Sequence, residues 1–242
     1  MAGLSILQAL VPGRLHNVSL QAHAGQMLGL IGPNGSGKSS LLHTMAGLLP
    51  STGQVWLGKQ RLEHMPLDDR ARRLGLLPQR NQSAWALRVH DVVSLGRLPW
   101  HDDNPEAIDW AMRQVGVQAF AEKSVDQLSG GEQARVWLAR VLAGCPDVLL
   151  ADEPMASLDL LYQHQIAQAL QAYARQGHTV VVALHDLSLA ARYCDQLALM
   201  QEGRLEVIGS VHEVLNAQVL SRIYGVDVMV DLAAQPPVVL AR

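Results

Sequence analysis

Residues 32 to 39 read Gly-Pro-Asn-Gly-Ser-Gly-Lys-Ser, an instance of G-x-x-x-x-G-K-[ST], and no other stretch restricts the fold as strongly. Its flanks supply the context the motif requires. Met27 to Ile31 is a short, continuous apolar run of the kind a buried parallel strand shows. After the motif, Leu41, Leu42, Met45, Leu48 and Leu49 recur at helical spacing until Gly47 and Pro50 end the turn. Strand, glycine-rich loop and helix together read as a phosphate loop. The glycines let the backbone turn its N–H groups onto phosphate oxygens, and the helix starting near Lys38 adds its positive dipole end. Gly32, Pro33, Asn34, Gly35, Ser36, Gly37, Lys38, Ser39 and Ser40 are the expected nucleotide contacts. Lys38 is expected to reach the β- and γ-phosphates, and the Ser39 hydroxyl to ligate Mg²⁺.

A chain of 242 residues accommodates one domain, or one domain carrying a subdomain, around a full core. That core must be aliphatic, because Phe120 is the single phenylalanine. A net charge of −3 gives no basic field, which argues against nucleic acid as the main partner. Cys145 and Cys194 have neither metal-site nor disulfide-framework spacing and read as reduced thiols of a cytosolic protein. The apolar run Thr179 to Leu184 stops at His185 and Asp186, far short of the roughly 20 residues a membrane helix needs, so the chain is not expected to cross a bilayer alone. The apolar start lacks the basic segment of a signal peptide.

In chain order, Leu4 to Leu10 and Val18 to Gln21 predict strands of a small amino-terminal sheet. Gly53 to Leu57 and Arg61 to Leu62 predict a hairpin around Gly58-Lys59, and Leu74 to Leu77 another strand ending at Pro78-Gln79. From Asn81 to Gln127 the apolar positions take helical spacing, which predicts an inserted helical subdomain with a polar break at His101 to Pro105. Leu197 to Met200 and Arg204 to Ile208 predict a hairpin around Glu202-Gly203. Val211 to Tyr224 predicts a helix, and Val226 to Val230 with Val238 to Leu240 a last pair of strands. The tail is expected to leave no room for a regulatory domain.

Three further segments carry chemistry. Leu128-Ser129-Gly130-Gly131-Glu132-Gln133 precedes a helical pattern, and its two glycines again expose N–H groups at a helix start, although Ser-Gly-Gly also suits a plain helix cap. Val148 to Ala151 is a buried-strand pattern ending in Asp152-Glu153-Pro154, which puts two carboxylates where parallel α/β sheets bind ligands. Asp152 is expected to hold Mg²⁺, directly or through water, and Glu153 to orient and deprotonate the attacking water. The β-branched run from Thr179 delivers His185 to the same sheet edge, where an imidazole can hydrogen-bond the γ-phosphate and the water.

Taken in order, GPNGSGKS (32–39), Gln79, LSGGEQ (128–133), VLLADEP (148–154), SLD (157–159) and His185 resemble the nucleotide-binding subunit of ABC transporters over nearly the whole chain. The resemblance implies an α/β fold: a P-loop NTPase (RecA-like) core with an antiparallel β subdomain and the helical subdomain of about residues 81–127, forming one nucleotide-binding domain over 1–242. It implies that Gln79 is the lid-loop glutamine touching Mg²⁺ and the transmembrane subunit. It also implies that Ser129, Gly130, Gly131 and Glu132 are the signature, and that Ser157-Leu158-Asp159 crosses a dimer interface, with Asp159 a nucleotide contact.

In that family two copies face head to tail, so the signature of one closes on the γ-phosphate held by the other. The activity implied is ATP hydrolysis with Mg²⁺, coupled to multispan permease subunits and indirectly to a periplasmic substrate-binding protein, with no nucleic acid. The place implied is the cytoplasmic face of the cell membrane.

Val89 to Trp100, and the tail from His185 to Ala190 through Glu202-Gly203-Arg204 and Leu220 to Gly225, are similar to importers of iron-siderophore, haem and cobalamin, and the short start Arg14 to Ala22 looks most like the vitamin B12 importer subunit. Cobalamin is therefore the first expected cargo and iron chelates follow. The alternative is a soluble ABC ATPase in cofactor or iron-sulfur assembly, which shares these motifs. One departure stands out: relatives often stack adenine on an aromatic before the phosphate loop, whereas residues 1–31 contain none, leaving Arg14 or His16 for that place.

Overall fold

A computed structural model of the chain describes residues 3–79, 86–156 and 158–242. The first two strands, β1 (Leu4–Val11) and β2 (Leu15–Ala22), alternate buried and exposed residues, as sheet strands with one solvated face do. By contrast β3 (Met27–Ile31) is buried at every position. After α1 (Lys38–Met45) come β4 (Thr52–Leu57), β5 (Gln60–Arg61), α2 (Leu67–Arg73) and β6 (Leu74–Leu77). The helix α1 ends at Met45, and Leu48, which fits the helical spacing, lies outside it at 63% exposure. Leu62 likewise leaves the hairpin and opens a 3₁₀ turn.

Residues 86–127 contain α3 (Val89–Ser94), a 3₁₀ segment over Leu95–Trp100 and α4 (Pro105–Val115). Asn104 starts α4 by accepting from the N–H groups of Glu106 and Ala107, with Pro105 preset in the first turn. The expected start of the helical insert at Asn81 lies outside the described residues. Then follow α5 (Gly130–Ala143), β7 (Val148–Asp152), α6 (Leu160–Arg175), β8 (Thr179–Ala183), α7 (Leu187–Tyr193), β9 (Gln196–Gln201) and β10 (Arg204–Ser210). The single helix expected over 211–224 is two, α8 (Val211–Val214) and α9 (Ala217–Tyr224), because the Asn216 side chain accepts from Gln218 and Val219 N–H and restarts the helix. β11 (Val228–Asp231) and β12 (Val238–Ala241) close the chain as an antiparallel pair.

The central sheet has the order β10-β9-β3-β8-β7-β6, and β9, β3, β8, β7 and β6 are parallel neighbours. Its all-buried strands still alternate, since each face meets a different layer. Leu28, Leu30, Val148, Leu150 and Val181 join the core shared with α1 and the antiparallel sheet β2-β1-β4-β5. Met27, Ile31, Leu149, Ala151 and Val182 face the core that α3 to α7 cover. Each fully buried leucine contributes roughly 1.5–3 kcal/mol, so apolar runs on both faces fix this three-layer stack. The stack puts the carboxyl ends of β3, β6, β7 and β8 along one edge. Gly32, Gln79, Asp152 with Glu153, and His185 all leave from it.

Candidate active site

The loop between β3 and α1 can form because its glycines take backbone angles that other residues rarely adopt. Gly32, Gly35 and Gly37 have φ of 142°, 78° and 102°. A Cβ on Gly32 would stand 2.1 Å from the Met200 carbonyl oxygen, so β9 packs directly on the loop. The result is a cleft of about 450 Å³ lined by residues 34–40, Glu153, and a far end of Gly13, Arg14, His16, Glu202 and Gly203. Lys38 is buried and donates back to the Gly32 and Pro33 carbonyls at 2.8 and 3.2 Å. Burial lowers its pKa, while the nearby Glu153 and Asp152 act in the opposite direction. The Ser36 hydroxyl is buried with no hydrogen-bond partner. An ammonium group bonded only to carbonyls and an orphaned hydroxyl fit a polyphosphate, which supplies the oxygens both lack.

The Ser39 hydroxyl donates to Asp152 Oδ1 at 3.0 Å. Burial raises the Asp152 pKa, and the bond from Ser39 pulls the other way. A hydroxyl and one carboxylate side by side suit a hard divalent ion, and among the described residues no group of three or more acidic, His or Cys side chains is placed to hold a metal by itself. That set fits Mg²⁺, which takes one or two protein ligands and fills its octahedron with phosphate oxygens and water. Bound there, the ion would neutralise phosphate charge and orient the phosphoryl group.

Glu153 stands at the junction of three clefts, with its side chain 11% exposed. Gln79 Nε2 donates to its Oε2 at 2.6 Å, and His185 Nε2 contacts Oε1. Both carboxylate oxygens are therefore engaged, by residues leaving two different strands. Glu153 also has φ of 50°, unusual for a residue with a side chain and the kind of strain found at functional positions.

Ser129, Gly130, Gly131, Glu132 and Asp159 are not in the phosphate cleft. Ser129 and Glu132 form a reciprocal helix cap: the Ser129 N–H donates to Glu132 Oε2 at 2.8 Å, and the Glu132 N–H donates to Ser129 Oγ at 3.3 Å. Gly130 lines a second cleft with Gln79 and Glu153. Asp159 caps α6 through the Tyr162 N–H at 3.0 Å, and Ser157 lies outside the described residues. Glu202 and Gly203 were legible in the sequence only as a hairpin turn. Their approach to the cleft depends on β9 pairing with β3, which brings the Gly203 carbonyl to the His16 N–H at 2.8 Å.

The loop, the paired hydroxyl and carboxylate, and a second carboxylate at the edge of a parallel sheet define a nucleoside triphosphatase of the phosphate-loop class. The sequence profile of the ABC transporter family matches residues 15–156, more than half of the chain, and the chain belongs to that family as an ATP-binding subunit. It hydrolyses ATP with Mg²⁺ in a reaction coupled to transport. The chain is 44% identical over 226 residues to a hemin import ATP-binding protein of Pseudomonas entomophila strain L48, which covers 90% of this chain and 89% of that one. It is 36% identical over 235 residues to the ferric enterobactin transport ATP-binding protein of Escherichia coli K12, covering 93% and 87%. Among solved structures, the ADP conformation of an ATP-binding cassette from an ABC transporter superposes with a TM-score of 0.82 at 21% identity, covering 93% of this chain and 98% of that one. No helix among the described residues is long and apolar enough to cross a membrane.

Proposed function

We propose that this chain energises import of an iron-bearing chelate, haem or a ferric siderophore, by binding and hydrolysing ATP between two copies of itself. The observation that carries the reading is the Glu153 carboxylate held by Gln79 and His185 beside the Ser39–Asp152 pair. In this reading Glu153 takes a proton from water as the oxygen attacks the γ-phosphorus, and the bond to the bridging oxygen breaks. Lys38 and the loop 32–40 hold the phosphates, His185 orients the γ-phosphate, and Ser39, Asp152 and Gln79 face Mg²⁺.

The signature Ser129 to Glu132 and Asp159 lie away from the phosphate loop of their own chain, which supports a head-to-tail partner supplying them. Residues 1–242 act as one nucleotide-binding domain, with the helical subdomain of about 81–127 and Gln79 meeting a multispan permease at the cytoplasmic face of the membrane. A periplasmic binding protein delivers cargo to that permease, and nucleic acid takes no part.

The names of the relatives favour haem and iron chelates, whereas the short segment Arg14 to Ala22 favours vitamin B12. Neither favours a soluble assembly ATPase. The test is co-expression with a multispan permease and assay of ATP hydrolysis in vesicles holding the complex. Hemin- or ferric-siderophore-loaded binding protein should raise turnover. Stimulation by cobalamin alone would move the cargo, and recovery only in a soluble complex would overturn the importer reading.

A further inference from the structure

Tyr162, in the first turn of α6, joins three segments that the sequence separates. Its ring lies flat against Gly131: a Cβ built on that glycine would come 2.2 Å from Cδ2, 2.5 Å from Cγ and 2.7 Å from Cε2. One turn further along α5, the Arg135 guanidinium sits 5.1 Å from the ring centroid. Arg135 in turn donates to the Val115 and Gly116 carbonyls at 2.9 and 3.1 Å, closing the end of α4. The backbone N–H of Tyr162 donates to Asp159 Oδ1 at 3.0 Å. One residue thus fixes the loop before α6 with its backbone, and the start of α5 with its side chain.

The contact is specific in kind. A ring can lie this close only on a glycine, since any Cβ at this position would overlap it. Stacking of a guanidinium on an aromatic ring adds attraction that survives partial exposure. Tyr162 does not line the phosphate cleft, so nucleotide held by the loop 32–40 does not touch it.

We infer that Tyr162 is a positioning residue that sets the signature segment Ser129 to Glu132 in register with the Asp159 loop. Both segments then reach a partner copy together. The inference rests on the two-copy reading above. Binding of nucleotide to a single chain should be independent of Tyr162, whereas closure of two chains on ATP should depend on it. Weaker closure lowers turnover and raises the ATP concentration for half-maximal rate, because closure is part of the apparent affinity.

The test compares Tyr162→Ala, Tyr162→Leu and Tyr162→Phe with the wild type. Expected for Tyr162→Ala is a fall in turnover of about tenfold, the scale of couplings between residues in contact. Its half-maximal ATP concentration should rise, while the affinity of the single chain for ADP stays within about twofold, since the loop is untouched. Tyr162→Phe keeps the ring and should restore turnover. Should Tyr162→Ala fail to fold, Tyr162→Leu decides, since it fills the space without a flat face and should show the same split.

In a Glu153→Gln background, which blocks hydrolysis, the Tyr162→Ala or Tyr162→Leu chain should pair less on ATP than its parent. Wild-type turnover in both variants, or equal loss of ADP binding and turnover, overturns the inference. If the Glu153→Gln parent itself never pairs, the two-copy reading falls and the role of Tyr162 with it. If the parent and its Tyr162 derivatives pair equally, only the role of Tyr162 falls.

Discussion

Both oxygens of Glu153 are engaged within the chain. Gln79 and His185 each hold one of its oxygens, so the same two residues decide where the carboxylate points. Glu153→Gln preserves the shape and removes the proton acceptor. Turnover should fall by about 10² or more, the usual scale for a general base, with ATP binding retained. Lys38→Ala should act differently, weakening nucleotide binding itself, which equilibrium titration with a fluorescent ATP analogue would show. Unchanged hydrolysis in Glu153→Gln would remove Glu153 from the role.

At the far end of the cleft stand Arg14, His16 and Glu202, all exposed and none a Phe, Tyr or Trp. Selectivity for a base needs buried hydrogen-bonding groups that a wrong base leaves unpaired, and the Arg14, His16 and Glu202 side chains at that end are exposed. GTP should therefore be hydrolysed with kcat/KM within about tenfold of ATP. A much larger measured preference would count against this arrangement.

Among the elements, the joint before β7 carries a pH signature. The His178 ring stacks on Tyr173 at 3.9 Å between centroids and 7° between planes. Tyr173 Oη and His178 Nδ1 both donate to the Pro146 carbonyl, at 2.6 and 2.9 Å. Burial lowers the His178 pKa below its ordinary value near 6.5. A group whose folded value is depressed contributes stability that is complete above the unfolded value, and that drains as pH falls through the folded one. Thermal melts should thus lose stability as pH drops below about 6.5, the ordinary histidine value. His178→Phe, which keeps the stack and cannot charge, should flatten that segment of the curve; an unchanged slope would exclude His178 as its source.

Local sequence alone is only partly sufficient to place the elements. Strands β3, β7 and β8 were legible because runs buried on both faces have no polar interruption. The split between α8 and α9 was missed because apolar spacing continues through Leu215, and the competing signal is one Asn216 side chain that prefers to cap. The loss of Leu48 from α1 has a similar origin: Gly47, at φ of 70°, ends the helix before the periodic pattern does.

The whole molecule presents its expected nucleotide contacts in two separate places. The phosphate cleft holds one set of expected contacts, and Ser129 to Glu132 with Asp159 present another set elsewhere on the same chain. A ligand that bridges copies can shift the equilibrium only by its difference in affinity between open and closed states. Glu153→Gln should therefore run as a dimer in size-exclusion chromatography with ATP and Mg²⁺, and as a monomer with ADP. A monomer under both conditions would remove the bridging role of the nucleotide.

The phosphate loop, the buried strands feeding Asp152 and His185, and the family are all readable from consecutive residues. Each is written in consecutive residues whose spacing and backbone demands are local. Only the packed chain settles which distant residues meet: Ser39 on Asp152, Gln79 and His185 on Glu153, Gly203 on His16, and Tyr162 on Gly131. Those partners lie far apart along the chain. They meet only because parallel pairing of β9, β3, β8, β7 and β6 puts every carboxyl end on one side, and because two separate cores hold the flanking layers in place.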